Sequence, residues 1–70
     1  MEKNMKKLEQ IKNDLLKEKK QVEENIAYYR EMRDNTEDVT TREMYEHSLE
    51  YARGRWYGLE QSLSIIESYK

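Results

Sequence analysis

The stretch EMYEHSLE, residues 43–50, contains the only histidine of this 70-residue chain, with acidic residues at helical spacing on both sides of it. Glu43 comes four residues before His47 and Glu50 three after it, so a helix would turn all three side chains to one side. Imidazole and carboxylate groups are ligands of zinc and iron. The Glu-x-x-His pattern of di-iron bundles, however, would need a glutamate where the chain has Met44. We therefore predict that the protein binds no metal and no other cofactor.

The sequence pairs no nucleophile with a base in the way that covalent catalysis requires. There is no cysteine, no second histidine and no glycine-rich phosphate loop. The serines have no neighbouring base at a spacing that would activate a hydroxyl as a nucleophile. We predict that the protein is not an enzyme.

Arginines and tyrosines alternate in two parts of the chain. Guanidinium groups pair with phosphates and aromatic rings stack on bases, so this combination is one that nucleic-acid-binding proteins use. The residues concerned are Arg30, Arg33, Arg53 and Arg55, with Tyr28, Tyr29, Tyr51 and Tyr57.

The charges are distributed unevenly and argue against a polyanionic partner. Residues 1–20 carry a net charge of +3, residues 21–50 a net −6 and residues 51–70 a net +1. The acidic central segment would repel nucleic acid, so nucleic-acid binding is disfavoured. If the chain folds back on itself, its two termini form a basic end and its middle an acidic end. Such a charge distribution favours antiparallel association with a second copy.

Two stripes of apolar residues predict the elements that position these groups. Between Met1 and about Arg33, and again from about Thr41 to the end, apolar residues recur at helical steps, mostly of three and four. We predict an all-α fold, an antiparallel, coiled-coil-like two-helix hairpin that dimerises into a four-helix bundle. Residues 1–70 form one domain, with helix 1 at about 2–33, the turn at about 34–40 and helix 2 at about 41–69. Thr40 and Glu43 fit a capping box at the start of helix 2.

Folding the chain back at residues 37 and 38 pairs positions whose numbers add up to about 75. The apolar stripe of helix 1 is interrupted at KEKKQ, residues 17–21, which contains no apolar residue. This register places Lys19, in the middle of that interruption, opposite Trp56. We expect the indole to fill that gap, with the lysine ammonium near its ring. The predicted core seam is Leu8, Leu15, Val22, Ile26, Leu49, Ala52, Trp56, Leu59, Leu63 and Ile66.

Helix 2 carries a second stripe of residues at helical spacing, roughly opposite the seam, and this stripe includes both glycines of the chain. Each glycine in a helix interior costs about 1 kcal/mol relative to alanine, so the presence of two needs a physical reason. One interpretation is a docking surface, since small residues let another backbone come close; the other is a bare, solvated face. The candidate partner-binding residues are Met44, His47, Tyr51, Gly54, Gly58 and Ile65.

Composition limits the class of protein. Apolar residues make up 36% of the chain and charged residues 40%. A chain of 70 residues buries a small fraction of its surface, so we expect a second chain to complete its core and stabilise it. No apolar run approaches the roughly 20 residues that cross a bilayer. We expect no membrane association, and the lack of cysteine permits a cytoplasmic location.

These observations favour a protein–protein interaction module that acts as a regulator, adaptor or inhibitor by covering the surface of a partner. The identity of the partner is open, and a homodimer is expected. The composition, rich in Lys, Glu, Asn and Tyr, favours by analogy a bacterial or phage origin. As an alternative, the predicted architecture resembles the Rop-like plasmid copy-control proteins, dimeric helical hairpins that bind RNA. The resemblance is in architecture alone and implies binding of RNA or another nucleic acid, for which the arginines and tyrosines named above are the candidate residues.

Overall fold

The computed structural model describes the backbone of residues 2–69 and the side chains of residues 6–69. It consists of two helices, α1 (Glu2–Asn35) and α2 (Val39–Ser68), that pack against each other as a hairpin. The molecule is a rod of 56 × 15 × 11 Å. The predicted all-α two-helix hairpin is confirmed. Neither helix, over the residues described, has an apolar stretch long enough to span a bilayer.

The connection between the helices is shorter than predicted. It comprises residues 36–38, because α1 continues through Asn35 and α2 begins at Val39. The backbone N–H of Asp38 donates a hydrogen bond to the hydroxyl oxygen of Thr36 at 3.3 Å. The Arg42 guanidinium donates to the carbonyl oxygen of Thr36 at 2.9 Å. These contacts satisfy backbone groups that the helix ends leave open.

The predicted capping box at Thr40 and Glu43 is wrong. The N-cap of α2 is Asp38, with an extended backbone (φ −75°, ψ 120°). Its carboxylate accepts hydrogen bonds from the backbone N–H of Thr41 at 3.0 Å and from the Thr41 hydroxyl at 2.5 Å. An aspartate in this position satisfies a free N–H of the first turn, so the helix starts two residues earlier than the capping-box pattern implied.

The core is a narrow line along the helix interface. Among residues 6–69, five apolar side chains are buried: Val22, Leu49, Ala52, Leu59 and Leu63. Half-buried residues that pack against this core include Leu15, Ile26, Tyr29 and Trp56. All five buried residues belong to the predicted seam.

One seam residue departs from the prediction. Leu8 is exposed, whereas Ile66 on α2 is half-buried. Leu8 lies level with the last turn of α2, which ends at Ser68, so the opposite helix offers it little surface to pack against.

Ion pairs join the helices in the predicted register. Lys12 pairs with Glu67, Lys19 with Glu60, and Arg55 with Glu18. Each pair joins residues at similar heights in the antiparallel hairpin. These partly exposed pairs agree with the register that the apolar seam sets.

Candidate functional site

The outer side of α2 presents the stripe that contains both glycines, and we call it the glycine face. It is formed by Met44, His47, Tyr51, Gly54, Gly58 and Ile65, all of them exposed. The exposed fraction is 65% for Met44, 72% for Tyr51 and 58% for Ile65. A Cβ atom built on Gly54 or on Gly58 would meet no atom within 4 Å other than its chain neighbours and the nearby backbone of its own helix. The hairpin alone therefore gives no steric reason for either glycine.

Trp56 lies at the centre of the hairpin, on the edge of the core. Its indole N–H donates a hydrogen bond to the Glu23 carboxylate at 3.1 Å. The Lys19 ammonium lies 5.1 Å from the ring centroid, which confirms the predicted contact. The Tyr57 ring stands nearly perpendicular to the indole, at 83° and with 5.3 Å between centroids. Three neighbours thus fix the position of the indole.

Lys19 also takes part in an ion pair with α2. The hydrogen bond from its ammonium to Glu60 raises the pKa of Lys19 above its usual 10.5, and the negative charges of Glu60 and Glu23 act in the same direction. The lysine therefore stays charged at neutral pH while it covers the indole. This contact packs residues 17–21 of α1, which include no apolar side chain, against Trp56 of α2.

The four arginines fall into two groups that the sequence alone did not separate. Arg33 pairs with its neighbour Asp34 at 3.1 Å, and Arg55 pairs with Glu18 across the interface. Arg30 and Arg53 make no ion pair with any side chain among residues 6–69. The two free guanidinium groups come from different helices.

Arg30 and Arg53 line the same shallow cleft, which we call the arginine cleft. Its other lining residues are Ile26, Trp56 and Tyr57, and its volume is about 150 Å³. The sequence carries a signal for this site in two helical spacings: Ile26 comes four residues before Arg30, and Arg53 comes three and four residues before the two aromatic residues. Only the packing of the helices brings the two groups together.

The tyrosines are divided in a similar way. Tyr29 is half-buried, and its ring lies 6.5 Å from that of Tyr45 on α2, so it helps to join the helices. Tyr28 and Tyr51 are exposed, on different helices. The proposed set of base-stacking rings is therefore scattered over the rod.

The histidine and its acidic neighbours do not form a metal centre in the part of the chain that the structure describes. Glu43, His47 and Glu50 are exposed. Across the described residues, no group of three or more histidine or acidic side chains is arranged to hold an ion.

The chain was compared with protein-family models, with curated proteins and with solved structures, and none of the three comparisons found a match. The candidate sites therefore rest on the geometry of the hairpin.

Proposed function

We propose that the protein is a small non-enzymatic interaction module that covers a partner surface with the glycine face, as a regulator, adaptor or inhibitor. The observation that carries the proposal is the open space over Gly54 and Gly58 on an exposed face that also holds Tyr51 and Ile65. Each glycine destabilises the helix by about 1 kcal/mol relative to alanine. If a second helix packs on this face, the absence of side chains at the two glycines lets its backbone come close.

The first partner that we propose is a second copy of the chain, which would complete a four-helix bundle. The hairpin supports this choice because its core, over the side chains that the structure describes, holds only five buried residues. It also has complementary ends: residues 21–50, which include the loop, carry a net −6, and the remaining segments carry +3 and +1. An antiparallel dimer places each basic open end beside the acidic loop end of the other copy.

The glycines suggest the register of this dimer. If Gly54 of one copy faces Gly58 of the other, the two-fold axis passes near residue 56. Tyr51 then faces Gln61, and His47 faces Ile65. Nearly the whole of α2 overlaps its counterpart in this arrangement, so the apolar members of the face become buried together.

Sedimentation equilibrium at low and high salt tests the oligomeric state. We expect a dimer that persists at high salt, because burial of apolar surface is not screened by ions. The double variant Gly54→Ala, Gly58→Ala should weaken the dimer while making each helix more stable. Ser64→Ala, on an exposed position outside the glycine face, is the control for helix propensity. Wild-type protein that sediments as a monomer would rule out the second copy and leave a foreign partner for this face.

Introduced cysteines test the register, since the chain has none of its own. A mixture of Tyr51→Cys and Gln61→Cys chains should form a disulfide-linked dimer on oxidation. Gln61→Cys alone should not, because its two copies would lie about 15 Å apart along the axis, too far for a disulfide. Rapid linkage of Gln61→Cys to itself would instead indicate a parallel dimer and contradict the proposal.

RNA binding by a Rop-like bundle is the second candidate function. It is favoured by Arg30 and Arg53, which lie beside Trp56 and Tyr57 and form no ion pair within residues 6–69. The net −6 of residues 21–50 argues against it, since that segment includes Arg30 itself. A gel-shift titration with single-stranded and hairpin RNA at low salt separates the two candidates: saturable binding would favour this one.

A cytoplasmic location is part of the proposal. The absence of cysteine suits a reducing compartment. Origin in a bacterium or phage stays a prediction from composition.

A further inference from the structure

The arginine cleft brings together two guanidinium groups that come from different helices. Some other basic side chains, among them Arg55 and Lys19, pair with acids across the helix interface. Arg30 and Arg53 have no such partner among residues 6–69, although they lie in or beside the acidic part of the chain. Two guanidinium groups that converge on one cleft offer several N–H donors to a single anionic group.

The same cleft has an apolar side. The Trp56 and Tyr57 rings meet at 83° and form a corner, and Ile26 of α1 adds an aliphatic side chain. The hydrogen bond to Glu23 and the contact with Lys19 hold the indole in place before any ligand arrives. A ligand that fits must therefore combine an anionic group with an adjoining apolar group.

The charges around the cleft select among anionic ligands. The Glu23 carboxylate accepts a hydrogen bond from the indole N–H, and Glu50 comes three residues before Arg53 on the same helix. A polyphosphate chain that crosses this surface would meet these carboxylates as well as the arginines. A single carboxylate can occupy the cleft, whose volume of about 150 Å³ suits one or two side chains.

We propose that the arginine cleft binds an acidic peptide segment of a partner protein, a carboxylate side chain next to an apolar one. Arg30 and Arg53 hold the carboxylate, and the apolar neighbour packs into the corner of Trp56 and Tyr57. The site shares no residue with the glycine face, and the proposed ligand does not require a second copy of the chain. It gives the interaction module a chemical preference for its target.

The single tryptophan is a reporter inside the proposed site. We would follow the indole N–H resonance of Trp56 by NMR while adding the peptide acetyl-Glu-Leu-Glu-Leu-amide. The matched peptide acetyl-Gln-Leu-Gln-Leu-amide keeps the apolar residues and lacks the charge. We expect a saturable shift with the first peptide and an affinity at least about tenfold weaker with the second, since charge-assisted hydrogen bonds to the carboxylate are lost.

A pair of double variants controls for net charge. Arg30→Gln, Arg53→Gln should lower the affinity for the acidic peptide by about tenfold or more. Arg33→Gln, Arg55→Gln makes the same change in charge outside the cleft and should bind nearly as the wild type does. Circular dichroism would check that both variants stay helical, and Arg33→Gln alone replaces the second double variant if loss of the Arg55–Glu18 pair unfolds it.

Three results would overturn the proposal. One is the absence of any shift of the indole resonance with the acidic peptide at millimolar concentration. The second is a shift with an eight-residue thymidine oligonucleotide that depends on Arg30 and Arg53, with none for the peptide, which would assign the cleft to nucleic acid. The third is loss of a wild-type dimer in the Arg30→Gln, Arg53→Gln variant, which would make a second copy the occupant.

Discussion

The ammonium nitrogen of Lys19 lies 5.1 Å from the centre of the Trp56 ring, so a charged side chain of α1 covers the one indole of the protein. The same lysine pairs with Glu60, one turn further along α2. A single residue thus links the aromatic and the ionic contacts of the interface. The middle of the hairpin therefore needs no large apolar residue from α1 at position 19.

Replacing Trp56 should show how much the middle of the hairpin contributes to stability. A fully buried aromatic residue contributes about 3–5 kcal/mol relative to alanine, and half-burial of Trp56 brings the expected loss for Trp56→Ala to about 2 kcal/mol. Trp56→Phe keeps a ring under Lys19 and loses the hydrogen bond to Glu23, so its loss should be smaller. Urea unfolding followed by circular dichroism measures both. Unchanged stability of Trp56→Ala would mean that the indole serves binding alone.

The stability that Lys19 provides should disappear at alkaline pH. Its pKa in the folded protein lies above the usual 10.5, chiefly through the hydrogen bond to Glu60. A raised pKa stabilises the fold fully below the pKa of the unfolded chain, and the contribution is lost as the pH rises through the folded value. The melting temperatures of wild type and Lys19→Met should therefore differ at pH 8 and converge only at alkaline pH, once the pH has risen past the raised pKa of Lys19. A difference that stays constant over this range would assign the effect to packing of the lysine stem.

Asp38 should make the start of α2 sensitive to acid. Hydrogen bonds from the Thr41 hydroxyl and backbone N–H lower the pKa of Asp38 below its usual 3.8. A lowered pKa gives stability that is present above the unfolded value and is lost as the pH falls through the folded one. Asp38→Ala should thus lower the melting temperature at pH 7 and have less effect near pH 2.

Asparagine at this position is the matched control. It caps helices about as well as aspartate and does not titrate, so Asp38→Asn should melt close to the wild type at pH 7. Its cap contribution should also persist at low pH. An Asp38→Ala variant as stable as Asp38→Asn at pH 7 would contradict the capping role.

Leu49 should be among the least replaceable residues. It is 1% exposed, and Leu→Ala at buried sites costs about 2–5 kcal/mol. In so small a core, Leu49→Ala should unfold the hairpin or bring its melting temperature close to ambient. Leu16→Ala makes the same chemical change at a residue that is 44% exposed, and its effect should be well under half as large. Equal losses for the two variants, measured by thermal melts, would contradict the placement of the core.

The sequence alone predicts the two helices, their antiparallel pairing and most of the seam. Helical periodicity is a local property of the chain, and every buried residue, such as Leu49 or Val22, lies on the predicted stripe. The contact of Lys19 with Trp56 also follows from counting residues away from the turn. The cap was harder to predict, because Asp38 and Thr40 both belong to residue types that start helices, and backbone geometry decides between them.

Tertiary structure alone decided which of the four arginines form ion pairs with described side chains. Arg30, Arg33, Arg53 and Arg55 look equivalent in the sequence, yet two are ion-paired and two line one cleft. It also decided that Leu8 is exposed, since that depends on where the opposite helix ends. The physical reason is the same in both cases. Burial and ion pairing depend on distances across the helix interface, and the spacing of residues within one helix does not determine those distances.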